Sequence, residues 1–202
     1  MSNILVNADG TLKIADFGLA KIFRRQSDNG LTLEEINATN RVVTLWTRAP
    51  ELVLGTTNYG CEIDMWSMGC ILYELLVKQA PFYGINELSI CAHFRDFFSA
   101  ADIQYLMDKA YPWSFMLYSC MYSQDLSRQA RKQREIICLE EFERQMILGL
   151  LNVNETSRFT AKDCLNHVYF TPVPDKIQFD DSIDFHEQKV KSEKNKRKKN
   201  KS

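Results

Sequence analysis

A chain of 202 residues with 45% apolar side chains has enough hydrophobic surface for one ordinary core, and room beyond it for a tail rather than a second large domain. Its formal net charge of −1 conceals an uneven split, because residues 189–202 carry eight Lys/Arg against one Glu and leave an acidic body ahead of a basic end. The N-terminal MSNILVNADG lacks a signal-peptide layout, and the six cysteines and three histidines form no CxxC or metal-ligand spacing, so a secreted disulfide framework and a zinc module are both disfavoured. Buried free thiols in a reducing, cytosolic or nuclear compartment are the expectation.

In chain order, two short apolar runs come first. Asn3–Val6 and Thr11–Ile14 flank a turn ending in Asp9-Gly10, which predicts a small β-hairpin. The hairpin returns the chain on itself and brings Asn3 and Asp16 to its open ends. An amide oxygen and a carboxylate at one place are hard donors of the kind Mg²⁺ takes. On spacing alone, the same residues describe a hairpin with ordinary polar ends. A polar, glycine-containing stretch from Arg24 to Asn40 follows, long for a simple connector, and then Ala49-Pro50-Glu51.

Cys61 to Lys78, CEIDMWSMGCILYELLVK, is predicted as one helix roughly 27 Å long. Its apolar residues point all round the axis, while Asp64 and Glu74 argue against a membrane span. A central helix with neighbours on every side is expected, and Asp64 inside it would need hydrogen-bond donors. Helix is also read, without a clear pattern, between Ala100 and Arg134. Over Glu135–Leu151, residues Ile136, Leu139, Phe142, Met146, Ile147 and Leu150 fall near helical spacing. Thr160-Ala161-Lys162-Asp163 resembles a capping box, and Pro172 and Pro174 close the folded part. The basic end reads as solvated and disordered, with nuclear import or weak nucleic-acid contact as its functional alternative.

The order of Asn3, Asp16-Phe17-Gly18, Ala49-Pro50-Glu51, Asp64-Met65-Trp66-Ser67-Met68-Gly69 and Arg158 resembles the C-terminal lobe of the eukaryotic protein kinases. Asn3 resembles the last residue of the catalytic-loop pattern HRDxxxxN, and the two tripeptides resemble the DFG and APE motifs. Arg41–Trp46 together with Arg48–Glu51 resembles the cyclin-dependent kinases. Thr39–Trp46, Gly55–Gly60, Pro112–Met116 and His186-Glu187 resemble more narrowly its transcription-elongation branch, and within it the fungal kinases of the RNA polymerase II carboxy-terminal domain.

The resemblance implies a mainly α fold with a short N-terminal β-hairpin: a kinase-like large lobe over 1–174 without a small lobe, and an extension over 175–202. It implies ATP and Mg²⁺ as cofactors. Asn3 and Asp16 would hold the metal, Leu5 and Ala15 would lie against the adenine, and Phe17 would pack inward beside Gly18. Thr39 would be the activation-loop phosphosite, facing cations such as Lys21 and Arg41, although Lys21 stands where the family commonly has the forked Arg. Thr44, Trp46 and Arg48 would shape a groove for Ser/Thr-Pro, with Thr47 in place of the usual Tyr. Glu51 and Arg158 would form a buried ion pair, and Asp64 would accept bonds from the catalytic-loop backbone.

The implied partners are a cyclin-type subunit, contacting mostly the small lobe, and RNA polymerase II C-terminal repeats as substrate, in the nucleus and away from membranes. With Asn3 as the last residue of the catalytic-loop pattern, the Asp of that loop is expected to precede Met1. No position matches it, the Gly-rich loop or the phosphate-pairing Lys and its Glu, so no catalytic residue is assigned and no turnover is expected of these residues alone. Two readings follow: a kinase catalytic subunit represented by part of its chain, or a non-enzymatic binding module or remnant. A nucleic-acid-binding helical module is weaker, since the body has no basic stripe with interleaved aromatics. With its helical partners incomplete, the chain alone is expected to be poorly folded, aggregation-prone or dependent on a partner.

Overall fold

The computed structural model describes residues 3–20, 24–25, 31–32, 45–121 and 135–170. The chain divides into two compact units, one containing the N-terminal hairpin and the other containing the helices. The architecture is mainly α with a short N-terminal hairpin, as the sequence predicts.

In the first unit, β1 (Ile4–Val6) pairs antiparallel with β2 (Leu12–Ile14), in the register Ile4↔Ile14, Leu5↔Lys13 and Val6↔Leu12. The turn is closed from inside: the Gly10 amide donates to the Asn7 carbonyl at 3.0 Å and the Thr11 amide to the Asp9 carboxylate at 3.0 Å. That amide holds the Asp9 carboxyl below its ordinary value. Leu5, Val6, Leu12 and Ile14 are all exposed, so among the described residues neither face of this ribbon is covered.

In the second unit, the long polar connector contains a second small ribbon, β3 (Arg24–Arg25) paired antiparallel with β4 (Leu31–Thr32). A 3₁₀ turn (Leu45–Thr47) then leads into α1 (Pro50–Val53), where Pro at the first helical turn has no amide to leave unpaired. The remaining helices are α2 (Glu62–Val77), α3 (Glu87–Phe97), α4 (Ala100–Asp108), α5 (Phe115–Met121), α6 (Glu141–Leu150) and α7 (Ala161–Leu165), followed by a 3₁₀ turn at Val168–Phe170. Among the described residues no helix is long and apolar enough to cross a membrane. All six cysteines are free; burial pushes the Cys91 thiol up to about 12.

The central helix starts and stops within one residue of its predicted ends. Lys78 closes it in the left-handed conformation, donating its amide to the Glu74 carbonyl at 2.9 Å. Its surroundings differ from the expectation. Trp66, Cys70 and Tyr73 are buried on one side, where Trp66 stacks on Phe82 at 5.4 Å and meets the edge of Phe94 at 5.9 Å, and Tyr73 meets Phe97 at 5.7 Å. This aromatic cluster of α2, α3 and the loop between them is the heart of the core. Asp64, Met68 and Leu75 lie along another face and are exposed, with Ile71 and Leu72 half-buried between them. Thus α2 is enclosed on its Trp66 side and open on its Met68 side among the described residues, and Asp64 is not an enclosed carboxylate.

Two further expectations are refined by the structure. The apolar spacing from Glu135 to Leu151 is not one helix, because helical backbone stops after residue 137 and restarts at Glu141, where the Glu140 amide donates to the Glu143 carboxylate at 3.1 Å. Phe142, one of the residues at helical spacing, is 49% exposed. The helical reading between 100 and 134 resolves into α4 and α5, both short, with 122–134 outside the described residues. Trp113, between them, lies on Gly55: its amide donates to the Leu54 carbonyl at 2.9 Å, and Gly55 has a φ of +90° with no room for a Cβ under the indole. The 171–202 extension, including the Pro172 and Pro174 stop and the basic end, lies outside the described residues.

Candidate metal and substrate site

The ladder of the hairpin runs one step past its strands. The Ala15 amide donates to the Asn3 carbonyl at 2.9 Å, which fixes the backbones of the two motif ends against each other. Asn3 Nδ2 then donates to Asp16 Oδ2 at 3.3 Å, with this contact exposed. Asp16 has a φ of 66°, a left-handed conformation uncommon for residues with a side chain but one that Asp adopts more readily than most. By register, Asn3, Leu5, Lys13 and Ala15 share one face of the ribbon. Leu5 is half exposed and Ala15 half-buried, so an apolar surface adjoins the oxygen pair.

These residues fit a hard divalent cation. Turning the Asn3 amide would present its oxygen beside the Asp16 carboxylate, giving two protein oxygens. That is the number Mg²⁺ commonly takes when phosphate and water complete its shell. Among the described residues, no group of three or more His, Cys, Asp or Glu is placed to hold a metal ion. The expected place of the catalytic-loop Asp, ahead of Met1, is not tested by the geometry: Met1 itself lies outside the described residues, which begin at Asn3. Phe17 is 68% exposed, contrary to the expectation that it packs inward. Among the described residues, the ribbon beside it is a single exposed layer.

In the helical unit, the segment ahead of α1 is held from three sides. Trp46 Nε1 donates to the Gly84 carbonyl at 2.8 Å, and its ring lies 4.6 Å from Tyr83. Arg48 is buried, and its Nη1 donates to Glu87 Oε1 at 3.2 Å. Ser67 Oγ of α2 donates to the Thr47 carbonyl at 3.0 Å. Lys21, Thr39, Arg41 and Thr44 lie outside the described residues.

Arg158 is held from several sides. Its Nη1 and Nη2 reach the two oxygens of Glu51 at 2.8 and 3.1 Å. Its Nε donates to the Asn152 carbonyl at 2.9 Å, and Nη1 also to the Glu62 carbonyl at 3.0 Å. The guanidinium sits over Trp66, 5.1 Å from the ring centre. Both charged side chains are essentially buried, at 0% and 4% exposure. One residue therefore ties α1, the start of α2 and the loop after α6 into one piece. Asp64, one turn into α2, makes no part of this network. Desolvation at the helix surface, then the neighbouring Glu62 charge, push its carboxyl above the ordinary value.

Several contacts lie beyond the sequence reading. Tyr73 donates to Glu135 at 2.6 Å, joining the middle of α2 to the segment before α6. Desolvation, followed by the hydrogen bond to Glu135, pushes that phenol well up. Tyr105 donates to Asn154 and Glu155 at 2.9 and 3.1 Å, and Lys109 to Glu155 at 2.7 Å, bracing α4 against the loop that carries Arg158. None of these pairs has a local signal. The capping boxes Asn86-x-x-Ser89 and Ser99-x-x-Asp102 do have one, and they start α3 and α4.

A hairpin that joins Asn3 to Asp16, and a buried Glu51–Arg158 pair behind a helix begun by Pro50, match a known domain. The protein kinase domain matches residues 1–170, and the chain belongs to the protein kinase family. Within it, the chain is similar to the CTD kinase subunit alpha of Saccharomyces cerevisiae, 38% identical over 94% of this chain and 35% of that protein. The Schizosaccharomyces pombe CTD kinase subunit alpha is 36% identical over 97% of this chain and 32% of that protein. Cyclin-dependent kinase C-2 of Oryza sativa subsp. japonica is 34% identical over 86% of this chain and 32% of its own length. A crystal structure of the yeast RNA Pol II CTD kinase CTDK-1 complex superposes with a TM-score of 0.67 at 37% identity, covering 87% of this chain and 55% of that one. The chain thus spans about a third of the length of the curated relatives it matches.

Proposed function

We propose that this chain provides the metal-holding and substrate-groove part of a serine/threonine protein kinase of the cyclin-dependent type. The observation that carries the reading is the meeting of Asn3 and Asp16 at the open end of the hairpin, at 3.3 Å. When bound, Mg²⁺-ATP supplies the transferable phosphoryl group and neutralises charge on it. Asn3 and Asp16 offer the two hard oxygens, Leu5 and Ala15 the apolar surface for the base, and Phe17 and Gly18 continue the loop that presents Asp16.

Thr44, Trp46 and Arg48 shape the groove for the acceptor. A Ser/Thr-Pro site suits a groove that leaves no partner for the next backbone amide, because proline has none to lose. Thr39, once phosphorylated, orders its loop through Lys21 and Arg41. The Glu51–Arg158 pair braces the groove segment, and Asp64 is left as an acceptor facing outward. The names of the relatives, CTD kinase and cyclin-dependent kinase, support RNA polymerase II C-terminal repeats as substrate, a cyclin-type partner and action in the nucleus.

A second reading, a non-catalytic binding module, has its own support. Among the described residues, the Met68–Leu75 face of α2 is open and could receive a partner. Mg²⁺-dependent ATP binding separates the two: the kinase reading expects binding that is lost in Asp16→Ala, and the binding-module reading expects none. No phosphate transfer is expected from these residues alone, and transfer abolished by Asp16→Ala would overturn that expectation.

A further inference from the structure

Two cysteines that phosphoryl transfer leaves unused face each other where α5 packs along α3. Cys91, within α3, is fully buried, and Cys120, in the last turn of α5, is 5% exposed. Cys120 Sγ donates to the Leu88 carbonyl at 3.5 Å. That carbonyl lies one turn before Cys91, and a helical side chain leans back toward the turn that precedes it. The Leu88 carbonyl therefore marks the place where the two sulfurs approach. The electrostatics agree: burial first, and then the Cys120 sulfur, push the Cys91 thiol up to about 12. Cys120 differs in having a cation at hand. The Arg95 guanidinium donates to the Cys120 carbonyl, and its charge opposes the burial that raises the Cys120 thiol.

We propose that Cys91 and Cys120 are a redox pair, closed to a disulfide by hydrogen peroxide and reopened by a thiol reductant. Cys120 reacts first, because it lies nearer the surface and beside Arg95. Its sulfur attacks one peroxide oxygen and the O–O bond breaks. A sulfenic acid forms on Cys120, and the departing hydroxide takes the thiol proton and leaves as water. The Cys91 sulfur then attacks the Cys120 sulfur. The S–S bond forms, the S–O bond breaks, and the hydroxyl leaves with the Cys91 proton as a second water. Two thiols have lost two electrons and one peroxide has gained them. Burial keeps Cys91 from meeting the oxidant itself and leaves it the resolving role. A thiol reductant reverses the bond by exchange, and transient, redox-sensing bonds are the form that disulfides take in a reducing compartment. While closed, the bond ties the end of α5 to α3 and restrains the unfolded chain between them.

The test is treatment of the full 202-residue chain with hydrogen peroxide, blocking of the remaining thiols in denaturant, trypsin digestion without reductant, and mass spectrometry. Cys91 and Cys120 fall in separate tryptic peptides, 79–95 and 110–128, each with one cysteine. The expected result is one dominant linked pair of these peptides, lost on adding dithiothreitol, and a higher urea midpoint for the oxidised chain. The same treatment in urea is expected to scatter links among the six cysteines. In Cys91→Ala, with no resolving thiol, dimedone is expected to capture the sulfenic acid on Cys120. Oxidation confined to the exposed Cys61 and Cys138 would overturn the pair. So would a 79–95 to 110–128 link no more abundant in the native chain than in urea. Absence of the Cys120 adduct in Cys91→Ala would overturn Cys120 as the thiol that reacts first.

Discussion

Replacing Arg158 by Met tests whether one buried ion pair organises the helical unit. The substitution keeps an unbranched stem against Trp66 but removes the bidentate bonds to Glu51 at 2.8 and 3.1 Å and the bonds to the carbonyls of Asn152 and Glu62. It strands a Glu51 carboxylate whose side chain is 4% exposed. Removing one member of a buried pair costs about 3–5 kcal/mol. Total stability of a domain is about 5–15 kcal/mol, so this is a large fraction of it. For a chain of this size each kcal/mol moves Tm by roughly 2–4 °C, giving a fall of about 6–20 °C. Glu51→Leu alone strands the guanidinium instead, with a comparable cost. The double variant Glu51→Leu/Arg158→Met strands no charge, so it is expected to be more stable than the sum of the single losses predicts, by about 2 kcal/mol or more. Urea unfolding followed by circular dichroism at neutral pH measures all four proteins. Single variants that each lose under about 1 kcal/mol, or losses that simply add, would refute the reasoning.

Two other expectations concern surfaces of the helical unit. Lys109 holds Glu155 at 2.7 Å; burial pushes that carboxyl up, but the Lys109 bond, its own backbone and Tyr105 outweigh this and hold it below its ordinary value. A depressed carboxylate contributes stability above its unfolded pKa and loses that contribution as pH falls through the folded value. The Tm gap between the native chain and Lys109→Met is therefore expected to be present at pH 7 and to close below about pH 4; a gap that widens on acidification would contradict the assignment. On the open face of α2, Met68 and Leu75 are 47% and 48% exposed, so Met68→Lys/Leu75→Lys is expected to reduce self-association in light scattering with little loss of Tm. A drop in Tm of many degrees would mean that this face is covered in solution.

How legible each feature is depends on how local its cause is. The hairpin can be read because its turn, Asn7-Ala8-Asp9-Gly10, and its short apolar runs are contiguous in sequence. The ends of α2 are equally clear, but its orientation is not. A helix apolar on every side carries no directional pattern, and only the packing of Phe82, Phe94 and Phe97 decides which side is enclosed. The start of α6 is masked because apolar residues keep helical spacing across Cys138-Leu139-Glu140, where the backbone breaks. Glu51 and Arg158, 107 positions apart, can be paired only by resemblance, and Glu87 and Ser67 have nothing local to mark them. Phe17 shows the opposite limit: its inward packing is implied by the family, and its ring is exposed beside a ribbon that is itself exposed among the described residues.

The central claim, that the hairpin holds a divalent cation on nucleotide phosphates, is tested most directly by paramagnetic broadening. Mn²⁺, standing in for Mg²⁺, is titrated into the ¹⁵N-labelled chain with ATP while the amide resonances are followed, which detects even weak binding. The account predicts selective broadening at Asn3 and Asp16 that requires ATP and disappears in Asp16→Ala. Broadening that spares the hairpin, or that survives Asp16→Ala unchanged, would contradict it.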